Sequence, residues 1–242
     1  MNAMEERIRS ILSEHQEQNC YLIYRLEQGT AQEPAVAGRS VRFLDGENAK
    51  TLYAVRSIEE FQALYQPVKD REGLLLSLLA DGTMLPQVLA LDDSLVGNLF
   101  HQLTAPKAAS LPAAELSEIS FGPVEDRHIP WILASYQHPE LCDAFVRRRR
   151  EAAPAMVATA GGRPVGFAMT HCGAELGPVY VEPEFRGSGL AGELLRRLLA
   201  GMEERNLRAA VYVTMENQRS LRWLLRQGFR LCPEPAAWFW RE

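Results

Sequence analysis

The sequence of 242 residues has no run approaching the roughly 20 consecutive apolar residues that a membrane-spanning helix needs. Its first residues, MNAMEERIRS, show neither the apolar core nor the small-residue cleavage site of a signal peptide. These two absences argue against a membrane-spanning or a secreted protein. We therefore expect a cytoplasmic protein without a membrane partner.

Cysteine is scarce and scattered. The four cysteines, Cys20, Cys142, Cys172 and Cys232, lie far apart in the sequence and lack the close pairs that are typical of a metal site. They predict reduced thiols that pack as small hydrophobic side chains, with no disulfide framework and no bound metal. His171, next to Cys172 at the end of an expected strand, is interpreted as structural.

Lysine is scarce too, because all but three of the 26 basic residues are arginine, and the formal net charge is -5. This balance does not favour nucleic acid as the main partner. Four consecutive arginines at 147–150 are the exception. Asp143 stands four residues before Arg147, which is the spacing of an ion pair along an ordinary solvated helix face. We expect no nucleic-acid partner.

A change in composition and periodicity divides the chain into two parts. The stretch TAPKAASLPAAELS, which ends at residue 117, combines small residues with two prolines and has no periodicity of its own. It predicts a linker at 106–117. This linker would separate an N-terminal domain at 1–105, which carries no chemical motif, from a C-terminal domain at 118–242.

Both halves predict an α+β fold. In the first half, CYLIYRL and TLYAV are interpreted as strands, and SIEEFQALYQ and DSLVGNLFHQL as helices. In the second half, a hairpin at Gly161 and Gly162 is followed by a strand, a glycine loop, a helix and another strand. Such a crossover after hairpins requires a mixed sheet. We predict a mixed, mostly antiparallel sheet with flanking helices, preceded by a smaller α+β domain.

The glycine loop is the clearest chemical signal. In VYVEPEFRGSGLAGELLRRLL, Gly187 and Gly189 permit positive φ, and Ala191 is too small to block the start of the helix that follows. The first amides of a helix lack intrahelical acceptors, so a loop of this kind can hold phosphate, with Arg186 at its mouth. A helix that simply begins after a flexible turn is the alternative interpretation.

The surroundings of this loop decide between the two. An R-x-x-G-x-A loop after the strand end V-E-P-E-F-R, followed by a strand, an Asn-led helix and Gly-Phe, resembles the GNAT superfamily of N-acetyltransferases over residues 118–242. The resemblance implies a GNAT-like fold that binds acetyl-coenzyme A or another acyl-coenzyme A, without a metal. It implies coenzyme-binding residues in three segments: Val179, Tyr180 and Val181 along the pantetheine arm, Arg186, Gly187, Ser188, Gly189, Leu190 and Ala191 around the pyrophosphate, and Asn217 and Ser220 at the border of the coenzyme.

A narrower resemblance suggests a catalytic base. ELGPVYVEPEFRGSGL is similar to the matching segment of glycine N-acyltransferases, in which a glutamate eleven residues before the loop arginine is the general base. Glu175 stands at that distance from Arg186, and the alternative for it is a solvated carboxylate at a strand edge. Gly177 and Pro178 also predict a bulge in this strand. The same resemblance implies that residues 1–105 are a degenerate GNAT-like half, and a dimerisation or regulatory module is the alternative.

One position departs from the family. Leu224 stands where GNAT enzymes usually have a tyrosine that donates to the departing thiolate. Two functions are therefore considered. The first is an N-acyltransferase, most simply an acetyltransferase, that transfers an acyl group to a primary amine of a small molecule by direct attack. The second is a non-catalytic acyl-coenzyme A sensor. A homodimer is left open.

Overall fold

The computed structural model describes residues 3–46, 50–71, 76–136, 141–172 and 175–242. The helices in these residues are Ala3–Ser13 (α1), Cys20–Glu27 (α2), Ile58–Tyr65 (α3), Leu85–Leu89 (α4), Ile129–Ser135 (α5), Asp143–Ala152 (α6), Leu190–Glu204 (α7) and Gln218–Arg226 (α8). The strands are Ala31–Ala37 (β1), Ser40–Asp45 (β2), Lys50–Ala54 (β3), Leu76–Leu79 (β4), Leu95–Thr104 (β5), Ile119–Pro123 (β6), Met156–Ala160 (β7), Arg163–Cys172 (β8), Glu175–Val181 (β9), Ala210–Thr214 (β10), Arg230–Leu231 (β11) and Ala236–Arg241 (β12). No helix in these ranges combines the length and the apolar character that crossing a membrane requires.

The chain forms two compact units. The first unit contains residues 1–104, 210–223 and 230–242, and the second contains residues 105–209 and 224–229. The domains predicted at 1–105 and 118–242 run continuously along the chain, whereas each unit is assembled from segments that are distant in sequence. The assignment of separate roles to the two predicted domains stays a prediction.

The sheet of the first unit has the strand order β1-β2-β3-β4-β12-β5-β10, with β11 also paired to β5. β3 and β4 pair in parallel, and the other neighbours pair antiparallel. One face carries a core of aromatic and aliphatic side chains that includes Tyr53, Phe61 and Phe239. Ser57 caps α3 by accepting a hydrogen bond from the Glu60 amide at 3.2 Å, as the capping-box spacing predicts.

Two interpretations of this half of the sequence are wrong. DSLVGNLFHQL was expected to be helical and forms β5, and CYLIYRL was expected to be a strand and forms α2. Leu95, Leu99 and Leu103 recur every four residues, which fits one face of a helix and equally one face of a strand. In CYLIYRL the apolar run is continuous, and its length fits either element.

The second unit contains an antiparallel sheet in the order β9-β8-β7-β6. α7 packs on the face that includes Gly166, where the methyl of Leu194 lies 3.0 Å from the position that a Cβ would take. α5 and α6 cover the opposite face over Phe167 and Met169. The strands and helices of the two units confirm the predicted α+β class, with mixed, mostly antiparallel strands and flanking helices.

The predicted linker packs against the second unit's helix α7. The Ala108 amide donates a hydrogen bond to Glu203 Oε1 at 2.8 Å, and both Ala108 and Leu111 are buried. Further along, Ala114 Cβ lies 3.0 Å from the position that a Cβ on Gly189 would take. This segment therefore lines α7 from its last turn to the glycine loop at its start.

Candidate functional site

The predicted bulge is confirmed in β9. Ala168 pairs with Val179 and Thr170 pairs with Leu176, so two residue steps along β8 face three along β9. The additional residue falls at Gly177 and Pro178. Gly177 has φ +132°, which side chains rarely adopt, and a Cβ at this position would lie 3.1 Å from the His171 imidazole, so a substitution is strained by conformation and crowded by the ring.

Two proton-accepting side chains flank the bulge. Glu175 is the first residue of β9, is partly exposed and pairs in register with Cys172. His171, which was interpreted as structural, places the edge of its imidazole against Gly177 and packs 6.3 Å from the Phe145 ring, measured between centroids. The position of His171 follows from the register at the bulge, which the sequence alone does not provide.

Beyond the bulge, the side chains of Tyr180 and Val181 contact other parts of the protein. Tyr180 stacks on Phe167 at 5.9 Å, meets Trp131 edge-on at 6.1 Å and donates its hydroxyl to Glu182 Oε2 at 3.1 Å. Burial, followed by the hydrogen bond to Glu182, raises the pKa of Tyr180. Val181 is buried. Any contact between this segment and a ligand would therefore use mainly the backbone.

The loop between β9 and α7 is held in a defined shape. Gly187 and Gly189 have φ of +85° and +90°, the left-handed region that glycine tolerates. Ser188 Oγ donates to the Phe185 carbonyl at 2.7 Å and accepts from the Leu190 amide at 3.3 Å. Leu190 itself is buried in the core. Ser188 thus closes the loop locally and satisfies one of the first helix amides.

The remaining amides at the start of α7 are open. Within the described part of the chain, the N-H groups of Gly187, Gly189, Ala191 and Gly192 have no backbone or side-chain acceptor. The Glu193 amide is the first to make the regular helical bond, at 3.1 Å to the Gly189 carbonyl. Four free donors at the positive end of a 15-residue helix form a site for an anion.

The charges around the loop leave Arg186 available. Its Nε donates to the Val181 carbonyl at 3.0 Å, which anchors the guanidinium at the strand end. The two neighbouring carboxylates are engaged elsewhere, because Glu184 pairs with Arg163 at 2.7 Å and Glu182 accepts from Trp131 Nε1 at 3.1 Å and from Tyr180. Among the described residues no carboxylate pairs with Arg186.

The acid in the first turn of α7 is also neutralised. Glu193 is buried and pairs with Arg196 and Arg197, both at 2.7 Å. The hydrogen bond from Arg196, assisted by Arg197, holds the pKa of Glu193 below its usual value. A cavity of 420 Å³ adjoins this turn, lined by Ala114, Glu115, Leu116, Ser117, Ile119, Phe121, Glu193 and Arg197. The local charge at the start of α7 is therefore positive, which favours an anionic ligand.

Asn217 and Ser220 lie in the first unit, at the start of α8. Asn217 Oδ1 accepts a hydrogen bond from the Ser220 amide at 3.1 Å, so Asn217 is the N-cap of this helix. In the second unit, Leu224 is buried and supplies no proton donor. The structure places Asn217 and Ser220 in the cap of α8, and their predicted position beside the coenzyme stays a prediction.

In the described ranges, no group of three or more His, Cys, Asp or Glu side chains is arranged to hold a metal ion. The groups near the bulge and the loop are instead a carboxylate, an imidazole, free amides and a guanidinium.

Residues 116–229 match the sequence model of the acetyltransferase (GNAT) family. The chain therefore contains a GNAT acetyltransferase domain, and the glycine loop and the bulged strand lie inside the matched residues. This assignment supports acyl transfer from coenzyme A. Among the curated proteins none matches the chain.

Solved structures share the fold at low sequence identity. A Drosophila protein has a TM-score of 0.64 at 13% identity and covers 84% of this chain and 74% of its own. A GCN5-related N-acetyltransferase from Kribbella flavida has a TM-score of 0.59 at 15% identity over 93% of both chains. A GCN5-related N-acetyltransferase-like protein from Streptococcus suis has 0.56 at 14% identity, over 99% of this chain and 100% of its own. The likeness in fold thus extends well beyond residues 116–229.

Proposed function

We propose that this protein is an N-acyltransferase that moves an acyl group, most simply acetyl, from acyl-coenzyme A to a primary amine of a small molecule. The observation that carries the proposal is the set of free amides at the start of α7 beside an uncompensated Arg186. An acyl-coenzyme A supplies the matching anion, a diphosphate, together with a thioester.

The diphosphate would be held by the loop from Arg186 to Ala191. Each favourable contact between an anion and a helix N-terminus contributes roughly 0.3 to 1 kcal/mol, so several amides and the guanidinium must act together. Val179, Tyr180 and Val181 would accompany the pantetheine arm through their backbone, and Asn217 and Ser220 would border the coenzyme.

The acceptor amine needs a base. An alkyl amine with a pKa near 10 is mostly protonated at neutral pH, and its deprotonation costs roughly 4 kcal/mol. Glu175, at the start of the bulged strand, would accept this proton directly or through a water molecule, with a rate effect on the order of 10² to 10⁴. His171 lies on the other side of the bulge and is the second candidate.

The bond changes are those of direct transfer. After the ammonium has lost one proton to Glu175, the amine nitrogen bonds to the carbonyl carbon of the thioester, the carbon–sulfur bond breaks with the sulfur leaving as thiolate, and the second proton of the nitrogen passes to that thiolate. A backbone amide near Val179 would stabilise the carbonyl oxygen as it becomes negative. Because a thiol has a pKa of about 8.5, the sulfur can leave as thiolate at a cost of roughly 2 kcal/mol at pH 7, without the tyrosine that Leu224 replaces.

Calorimetry with coenzyme A tests the loop. We expect the wild type to bind, and Arg186→Ala to bind about 10-fold more weakly through the loss of one charged contact. Arg205→Ala, an exposed arginine at the other end of α7, is the matched control and should leave binding unchanged. A wild type that does not bind coenzyme A would contradict the proposal.

Release of free thiol from acetyl-coenzyme A, followed across pH with a panel of amines, tests the chemistry. We expect Glu175→Gln to lower kcat by about 10²-fold or more with little change in coenzyme binding. If Glu175→Gln keeps full turnover and His171→Gln loses it, the base is His171.

The buried Leu224 favours one further function, a sensor that binds acyl-coenzyme A without turnover. The same two measurements separate it from the enzyme. A sensor binds the coenzyme in the calorimeter and releases no thiol with any amine in the panel.

A further inference from the structure

Two cysteines from opposite ends of the sequence meet inside the first unit. Cys20 begins α2 and Cys232 follows β11, and both are buried. Cys232 Sγ donates to the Glu17 carbonyl at 3.2 Å, and the Cys20 amide donates to the same carbonyl at 3.3 Å. One peptide oxygen therefore lies against both cysteines.

Gln102 of β5 brackets the pair from the other side. Its Nε2 donates to Cys20 Sγ at 2.9 Å, while its carbonyl accepts the Cys232 amide at 2.9 Å. A side chain and a carbonyl of one residue thus bind the two cysteines. Four hydrogen bonds, two involving the sulfurs and two from the backbone amides, hold both cysteines against the same two residues, Glu17 and Gln102.

From this arrangement we propose that Cys20 and Cys232 are a reactive thiol pair that a hydroperoxide converts reversibly into an intramolecular disulfide. Neither residue belongs to the acyl-transfer site proposed above, so the two proposals stand or fall separately.

The two thiols differ in a way that assigns their roles. The interaction with Cys232, followed by burial, raises the pKa of Cys20 well above its usual value. The interaction with Cys20 lowers the pKa of Cys232. Cys232 adjoins exposed chain, since Leu231, Pro233 and Glu234 reach the surface, and this position assigns it as the residue that meets a hydroperoxide. The lowered pKa of Cys232 agrees with that role, because the thiolate is the nucleophile.

The disulfide would form in two steps. The Cys232 thiolate attacks a peroxide oxygen, the O–O bond breaks, and Cys232 becomes a sulfenic acid while the peroxide is reduced to water or an alcohol. The Cys20 sulfur then attacks the Cys232 sulfur, the S–O bond breaks, and water leaves. A dithiol reductant returns both thiols by exchange.

Peptide mapping of the wild type decides the proposal. The protein is treated with hydrogen peroxide, alkylated with N-ethylmaleimide under denaturing conditions and digested without reduction. We expect a peptide that links Cys20 to Cys232, which dithiothreitol removes. Full alkylation of both cysteines after oxidation, or oxidation of each to sulfinic acid without a link, would overturn the proposal.

Variants assign the steps. In Cys20→Ser, dimedone should label Cys232, since the hydroxyl can still donate to the thiolate and no resolving thiol remains. In Cys232→Ser, Cys20 should stay unlabelled, and equal labelling of Cys20 would refute the assigned roles. Cys142→Ser, which removes an exposed cysteine of the other unit, is the control and should form the link as the wild type does. If a serine variant fails to fold, the wild-type mapping still decides the proposal.

The link should also be visible in stability. It would join the first and last segments of the first unit, so it restricts the unfolded chain over almost its full length. We expect the oxidised wild type to unfold at a higher urea concentration than the reduced protein, and Cys232→Ser to show no such shift. A lower urea midpoint after linkage would contradict the geometry described above.

Discussion

Each unit buries an arginine of one of its helices, and the two arginines differ in their hydrogen-bond partners. In the first unit, the Arg25 guanidinium pairs with Asp45, and neither side chain is exposed to solvent. In the second unit, Arg149 is 2% exposed, and within the described residues its Nε and Nη2 have no hydrogen-bond acceptor. The neighbours of Arg149 in the arginine run are paired, since Arg147 and Arg150 both bind Asp126.

The Arg25–Asp45 pair stabilises the fold, whereas the unpaired nitrogens of Arg149 do not. A buried ion pair becomes costly when one partner is removed, because the other charge stays buried. A buried charge without a partner is already a cost to folding. The second unit also keeps open amides at the glycine loop, where solvent or a ligand can satisfy them. We therefore expect loss of the Arg25–Asp45 pair to affect stability most, and substitutions at the glycine loop to affect binding.

The largest effect should follow the loss of the buried pair. We expect Asp45→Ala to lower the free energy of unfolding by about 3 to 5 kcal/mol, because the charge of Arg25 would remain buried without its carboxylate. Urea unfolding measures this change. Arg9→Met removes a partly exposed pair with Glu5 and should cost less than about 0.5 kcal/mol. Equal effects of the two substitutions would show that the buried pair stabilises the fold no more than a pair at the surface.

The next effect concerns the glycine loop. Gly189→Val places a β-branched residue at φ +90° and a Cβ 3.0 Å from Ala114, so the loop must change shape. We expect coenzyme A to bind about 10- to 100-fold more weakly, because several amide contacts of roughly 0.3 to 1 kcal/mol are lost together. Calorimetry measures the change in Kd.

Gly122→Val is the control for that substitution. It lies in β6 of the same unit, where a Cβ would meet nothing within 4 Å. Coenzyme binding should be unaffected. If Gly189→Val binds coenzyme A as the wild type does, the amides of this loop do not hold the diphosphate.

Arg149 gives the third prediction and the opposite sign. We expect Arg149→Met to raise the free energy of unfolding by about 1 kcal/mol, since an apolar side chain of similar length removes a buried charge whose Nε and Nη2 have no acceptor among the described residues. Urea unfolding measures it, with the exposed Arg148→Met as the matched control, which should change little. Destabilisation by Arg149→Met would show that the guanidinium is compensated in solution.

The sequence predicted the elements around the site better than those of the first unit. Between Glu175 and Glu204, glycine, proline and the leucine spacing each restrict the local backbone, so strand, bulge, loop and helix follow from nearby residues. In β5 the spacing of four residues fits two elements. β5 lies between β12 and β10, and pairing with distant strands decides its form.

Contacts between residues that are distant in sequence could not be predicted either, because they depend on how distant elements pack. Nothing in the sequence brings Cys20 to Cys232, because Gln102 of a central strand positions both. Arg149 could not be distinguished from Arg148 by charge, since only the packed face of α6 separates a buried guanidinium from an exposed one. Single-residue chemistry is readable locally, whereas burial and pairing depend on the whole fold.

The last prediction concerns a buried side chain that can lose its charge. His128 of the second unit is buried, and its Nδ1 accepts the Glu125 amide at 2.9 Å. Burial, followed by the charge of Arg127, lowers the pKa of His128 below the usual value of about 6.5. The fold therefore favours the neutral ring of His128.

The sign of the pH dependence follows. As pH falls through about 6.5, the unfolded state binds a proton that the folded state resists, so His128 lowers the stability by at most about 1.4 kcal/mol per pH unit. We expect His128→Asn, whose amide oxygen can still accept the Glu125 amide, to lose less stability than the wild type between about pH 7.5 and about pH 5.5. Urea unfolding at the two pH values measures the difference. Identical losses in both proteins would mean that the imidazole is protonated in the folded state, and the second unit would then tolerate a buried cation at His128 as it does at Arg149.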